Sequence, residues 1–322
     1  MTNDTARRIS ATSLWTIIIL IFALVPIVTT SAYKINVASH ILVWGLFAVS
    51  FNMLWGITGM LSFGQALYYG LGAYSVGLMV EYLGNGWFLP AIALGLIMVI
   101  IVSFLLGLLV IRVGGVYFTM LTLAFAQLVW QITFKWYDFT GGDDGIQSII
   151  PPGILENRIV YYYFVLVMVF VSIWILKRMA YSPFGLVLRC VQQNPARVRF
   201  LGRRVRRNQL RIYMVSSFFA ALAGSLMAGV DSSIHTDMLF WTTSGEAILM
   251  SVLGGINQFF GPFIGAAIFI LIEDNIGART EYWPLIIGSI MLIMVILFPK
   301  GIVGEVLRLK AWFGKNGGGR QP

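Results

Sequence analysis

The chain of 322 residues is 58% hydrophobic and only 11% charged, with a mean hydropathy of +0.85 and a net charge of +9. Soluble domains carry about a quarter of their residues as charges, so this composition excludes an ordinary soluble fold and indicates a polytopic membrane protein. The positive residues gather in one internal segment and at the two ends, the pattern of positive-inside topology rather than of nucleic-acid binding.

Arg7 and Arg8 precede an apolar run at 14–28. Thr30, Ser31 and Ala32 are small enough for a signal-peptide cleavage site, but a polytopic chain needs no removable signal, and an uncleaved first span is the preferred reading. Further runs follow at 37–55, 61–80, 88–111 and 117–134, each near the roughly 17–25 residues that cross a hydrocarbon core. Residues 135–158 form a long polar break with Asp138, Asp143, Asp144 and Glu156. Its Gly-Gly-Asp-Asp-Gly run lacks the ligand spacing of a calcium loop and reads as a solvated external turn. A sixth run, 159–176, leads into a segment at 177–211 with ten Lys or Arg and no acid, and a seventh, 212–230, leaves it. So basic a segment between spans belongs on the cytoplasmic side.

Parity decides the remainder. A single span over 244–273 leaves the basic tail (Lys300, Arg308, Lys310, Lys315, Arg320) outside, whereas two short passes at 244–255 and 259–272 bring it inside. Gly254-Gly255, Asn257-Gln258 and Gly261-Pro262 mark the break between them. The expectation is an all-α polytopic membrane protein with about ten transmembrane crossings, some short or broken. It divides into a cytoplasmic tail (1–13), a first membrane half (14–176), the basic segment (177–211), a second half (212–298) and a cytoplasmic tail (299–322). The triplets Gly64-Gln65-Ala66 and Gly245-Glu246-Ala247 each follow a serine, Ser62 and Ser244. Parity starts the first at the cytoplasmic face and the second at the external face, as in an inverted repeat.

Small residues at helical spacing serve close helix packing, and Gly64, Gly70, Gly72, Gly224, Gly254, Gly255, Gly261 and Gly265 are the positions expected to do so. Polar groups inside spans are costly unless they face protein or water, which makes Asn52, Gln65, Gln127, Gln131, Glu246, Asn257 and Gln258 candidates for a translocation pathway. Glu246 also has a plainer reading, as an acid stabilised near a helix N-terminus. His40 and His235 are expected at span ends. With Cys190 the lone cysteine, neither a disulfide nor a metal site is expected, and its cytoplasmic position implies a reduced thiol.

Within the basic segment, 182–194 reads as a short amphipathic helix. Ser182-Pro183 starts it, Asn194-Pro195 stops it, and Leu186, Val187, Leu188 and Val191 are its apolar positions. It holds no catalytic residue, so it reads as a surface for another protein. Ser182-Pro183-Phe184-Gly185, Arg189, Asn194-Pro195-Ala196 and Leu201-Gly202 together resemble the coupling loop of branched-chain amino acid ABC importer permeases of the LivM type. Residues 59–74, 220–229 and 246–266 resemble the same family, and the likeness covers roughly 37–305. The resemblance implies that Phe184, Gly185, Arg189, Asn194, Ala196, Leu201 and Gly202 couple the spans to a partner ATPase. It also implies a second permease of the LivH type, two ATPase subunits and an external substrate-binding protein that sets specificity. Relatives of this kind also serve urea and short amides.

The sequence has no phosphate-binding loop, nucleophile elbow or dinucleotide fingerprint, so ATP and Mg are expected on partner subunits and no cofactor on this chain. A passive channel or a membrane enzyme using Glu246 and Gln65 is the alternative. The enzyme reading lacks an acid and base in one cluster, and the channel reading leaves the amphipathic helix without a purpose.

Overall fold

A computed structural model describes residues 21–29, 31–277, 282–297 and 301–305. Its principal helices are α1 (Ala32–Thr58), α2 (Gln65–Leu83), α3 (Phe88–Val110), α4 (Val116–Lys135), α5 (Arg158–Ala180), α6 (Pro183–Gln193), α7 (Pro195–Phe200), α8 (Val205–Asp231), α9 (Trp241–Gly254), α10 (Gly261–Gly277) and α11 (Trp283–Leu297). Five helical stretches are long and apolar enough to cross a bilayer: α1, α4, α5, α8 and the stretch Asn85–Val110 that contains α3. They make this a multi-pass membrane protein. Of the expected first span, residues 21–28 are helical and the rest lies outside the described residues, as does the C-terminal tail beyond Glu305.

α1 and α8 are the centre of the bundle, with α2, α3 and α5 packed around them. Lipid is as apolar as a leucine side chain, so helices associate here through close packing and polar contacts rather than apolar burial alone. Small residues make that approach possible between α2 and α8. A Cβ on Gly72 would strike the Ala221 carbonyl, and one on Gly224 would strike the Tyr69 carbonyl. Hydroxyls then reach across: Ser225 Oγ donates to the Gly72 carbonyl at 2.9 Å, and Ser216 Oγ to the Ser50 carbonyl at 2.7 Å. α9 and α10 meet in the same way, Gly254 against the Gly261 carbonyl and Gly265 against the Met250 carbonyl. The turn between them passes through Gly255 at φ +111°, a conformation only glycine adopts without strain.

The polar break after α4 folds into short turns. Tyr137 Oη donates to Asp144 Oδ2 at 2.8 Å, and that hydrogen bond to a carboxylate raises the tyrosine pKa above its ordinary value. β1 (Ile146–Gln147) pairs antiparallel with β2 (Ser233–Ile234), which follows α8. The 135–158 break and the end of α8 therefore lie at one end of the bundle, as the parity argument requires.

The segments around the two triplets depart from expectation. Leaving β2, the chain descends beside α2, with Ile234 against Gly77 and Leu239 against Gly70. Ser244 Oγ then accepts a hydrogen bond from Ala66 N at 2.8 Å. The two legs enter from opposite ends of the bundle, and α2 and α9 meet inside it instead of starting at its faces. Legs outside the α-helices, at 59–64 and at 232–240 with its short 3-10 turn Thr236–Leu239, make this possible by carrying the chain inward before each helix begins. Gly64 lies against Thr122, six residues into α4 and so about 9 Å along it. α8 likewise begins at Val205 and not near 212, because arginine is a good helix former and its long stem holds the charge clear of the bundle.

Candidate functional site

One face of α1 presents Tyr33, Asn36, Val37, His40 and Trp44, the spacing that keeps side chains on a single stripe. The stripe forms one wall of a cavity of about 800 Å³. Eleven residues separate Tyr33 from Trp44, so the cavity follows the helix for about 16 Å, near half of a hydrocarbon core. Tyr69 of α2, Asp231 of α8, the leg before α9 and Glu246 supply the other walls. The leg matters here: a continuous helix from α8 into α9 would fill the space it leaves open.

The lining has a clear chemical character. Asp231, Asp237, Glu246, Glu273 and Asp274 face it, and no Lys or Arg does among the described residues. Met227, Met238, Phe240 and Ile270 make apolar patches between the acids. Two contacts tie the rim together: His40 Nε2 to Asp231 Oδ1 at 2.8 Å, and Tyr33 Oη donating to Asp274 Oδ1 at 2.5 Å. Deeper in, Tyr69 is 1% exposed and its hydroxyl has no hydrogen-bond partner. Buried polar groups are normally satisfied, so an orphan on a cavity wall signals water or a ligand. One turn below Tyr69 on α2, fully buried Gln65 also has both amide atoms unpartnered.

The opposite end of α1 carries a second structure. Ser182 caps α6, its Oγ accepting from Gly185 N, and Asn194 both ends α6 and caps α7 by accepting from Arg197 N at 3.0 Å. The two short helices form an elbow sealed by Val191, Val198 and Val205, while Leu188 enters the main core. Gly185 turns inward, where a Cβ would strike the Ala180 carbonyl. Leu186 (64%), Phe200 (91%) and Leu201 (80%) are exposed, together with Arg189, Cys190, Ala196 and Gly202. Phe184 and Asn194 are half-buried. Gln192 of α6 lies against Gly59, the residue that ends α1. Beside the elbow is a cavity of about 570 Å³ lined by Arg112, Arg199 and Arg206 and by no acid.

Of the polar residues singled out in sequence, only Glu246 lines the acidic cavity. Asn52 lies at the other end of α1, beside the Ile256 carbonyl, with its Oδ1 unpartnered. Asn257 and Gln258 form the turn between α9 and α10, and Gln127, its Nε2 unpartnered, sits on α4. Gln131 is exposed on the same helix. His40 is nine residues into α1 and not at its end, and His235 lies in the leg before α9. Sequence reasoning missed Tyr69, Asp231 and Glu273. The 33–36–37–40–44 stripe on α1 was the available signal.

Residues 33–295 match the family described as branched-chain amino acid transport system, permease component. The LivM permease protein of Escherichia coli (strain K12) is 24% identical, over 90% of this chain and 74% of its own length. A probable LivM permease protein of Methanocaldococcus jannaschii is 26% identical over 84% of this chain and 94% of its own. The LivH permease protein of Escherichia coli (strain K12) is 22% identical over 81% and 91%. No solved structure matches significantly. With over three-quarters of its length matched and a bundle built from the helices that such a component requires, the chain belongs to the branched-chain amino acid transport system permease family.

Proposed function

We propose that this chain is a permease subunit of an ABC importer in a bacterial cytoplasmic (inner) membrane, forming half of a pathway for branched-chain or other apolar amino acids. Both termini are cytoplasmic, about ten crossings join them, and the two halves descend from an inverted repeat. A LivH-type permease completes the pathway, two ABC ATPases hydrolyse ATP with Mg, and an external binding protein delivers substrate. The names of these relatives support the substrate class, since the LivM and LivH proteins are branched-chain amino acid permeases and none of the three is named for urea or an amide.

The observation that carries this reading is the pairing of the elbow with the acidic cavity at opposite ends of α1. The exposed Leu186 and Arg189 offer an ATPase an apolar anchor ringed by charge, which is how interface hot spots are built. Phe184, Gly185, Asn194 and Ala196 hold that face in position, and Leu201 and Gly202 extend it. A 27-residue helix transmits displacement because it is stiff along its axis, and α1 touches the elbow at Gly59 and the cavity at His40. Glu246 belongs to the outer half of the path. Gln65 and Asn52 lie along its continuation, with Gln127, Asn257 and Gln258 flanking it. The test is the double variant Leu186→Asp, Arg189→Glu in cells carrying the whole transporter. Uptake of labelled leucine is expected to fall roughly thirtyfold or more with membrane insertion intact. Unchanged uptake would refute the coupling role.

A further inference from the structure

The floor of the acidic cavity has a more specific chemistry than passage alone requires. Glu246 has no cationic partner among the described residues. Tyr69, on the facing helix, lines the same cavity as Glu246 and Asp231 and has a buried hydroxyl without a partner. An uncompensated carboxylate and an orphaned phenol oxygen lining one cavity make an unfilled set of acceptors. Trp44, which also lines the cavity, packs against Tyr69 with ring centroids 5.7 Å apart and holds the phenol ring in place.

The chemistry of the occupant follows from what the walls reject. Five carboxylates, with no guanidinium or ammonium facing them among the described residues, repel an anion. A divalent metal needs several oxygens converging at about 2.0–2.6 Å, and the described acids are spread along the wall with no group of three placed to do so. A primary ammonium carries three donors, a single positive charge and no demand for a closed cage. Apolar patches between the acids, Met227, Phe240 and Ile270 among them, accept an aliphatic chain on the same molecule.

We propose that Glu246 and Tyr69 form a binding site for the ammonium group of an amphipathic amine or amino acid, with the carboxylate as its counterion and the phenol oxygen as second acceptor. This rests on the reading of the cavity as the outer half of the pathway. It adds that the permease itself recognises the head group it passes, in addition to any selection by a binding protein.

The probes are isopentylammonium, isocaproate and leucine, added separately to the purified full-length chain and followed by saturation-transfer NMR. Isopentylammonium and leucine should bind and compete, with isocaproate roughly tenfold weaker or worse. Glu246→Gln, nearly isosteric, should weaken isopentylammonium by about tenfold while the protein stays monodisperse, and Tyr69→Phe should weaken it by a few-fold. Isocaproate binding as tightly as the amine, amine binding unmoved by Glu246→Gln, or no binding of any probe would overturn the site. Uptake of labelled leucine by the whole transporter separates the two readings. If uptake depends on this chain while the probes show no preference, the head-group site falls and the permease function stands. If the amine binds as expected and no uptake is supported, the site stands and the function falls.

Discussion

The two cavities of this protein are built in opposite ways. The one beside the start of α1 is lined by five acids and leaves the Tyr69 hydroxyl unpaired. The one beside the end of α1 is lined by three arginines and borders an elbow whose helix ends are capped by Ser182 and Asn194. A site that must bind and release keeps its polar groups unsatisfied until a ligand arrives. A surface that must pass on a push is instead satisfied in advance, so that little of the push goes into ordering it. Most of the described positive residues lie in or beside the 177–211 segment, at the end away from the acidic cavity.

The comparison breaks most completely at the α2–α8 contact, which supports both regions. Gly224→Leu forces a side chain into the Tyr69 carbonyl, and no monodisperse protein is expected on size-exclusion chromatography. Recovery of a folded variant would mean that the two regions do not depend on that contact. A narrower break is Gly185→Asp, which drives α6 off the end of α5. Trypsin should then cut rapidly among Arg197, Arg199 and Arg203, while Tyr69 and Glu246 keep their site and isopentylammonium still binds. Asn194→Ala removes a helix cap worth about 1 kcal/mol, so nicking of the same arginines should rise only about fivefold. At the smallest end, His40→Gln removes a partly exposed ion pair at the cavity rim. That pair contributes less than about 1 kcal/mol, so the thermal midpoint should barely move, and less still at high salt.

The first helix of the elbow was legible in sequence because its signals are local. Ser182-Pro183 and Asn194-Pro195 mark the two ends of α6 by a cap and by proline geometry, which need no distant partner. α7 was not expected, since Asn194-Pro195 read only as a stop and also serves as the cap and first turn of a second helix. The five long apolar helices were legible to within a few residues, apart from the start of α8, for a similar reason, since a run of apolar residues has one stable fate in lipid. Even so, the basic segment did not read as helix at its end. Val205–Arg211 fell within the basic segment because the seventh span was bounded by its apolar run at 212–230, whereas arginine continues the helix and keeps its charge out of the bundle. The acidic cavity was much less legible. Asp231 and His40 come together only when α1 and α8 pack, and Tyr69 reads as one more aromatic in a Gly-rich span. Glu246 was found because an acid in an apolar run is expensive wherever it points. Gln127 and Gln131 met the same criterion and stand on α4, away from that cavity.

The hydrogen bond from Ala66 to Ser244 has a consequence for orientation. It brings the N-terminal ends of α2 and α9 together within the bundle, and each such end carries a partial positive charge of roughly half a unit. Above them the walls of the cavity are carboxylates. Between rim and interior the protein thus holds a fixed dipole, negative toward the rim and positive toward the interior. If the cavity is the outer half of the pathway as proposed above, a zwitterion entering it would be turned with its ammonium toward the acids and its carboxylate toward the helix ends.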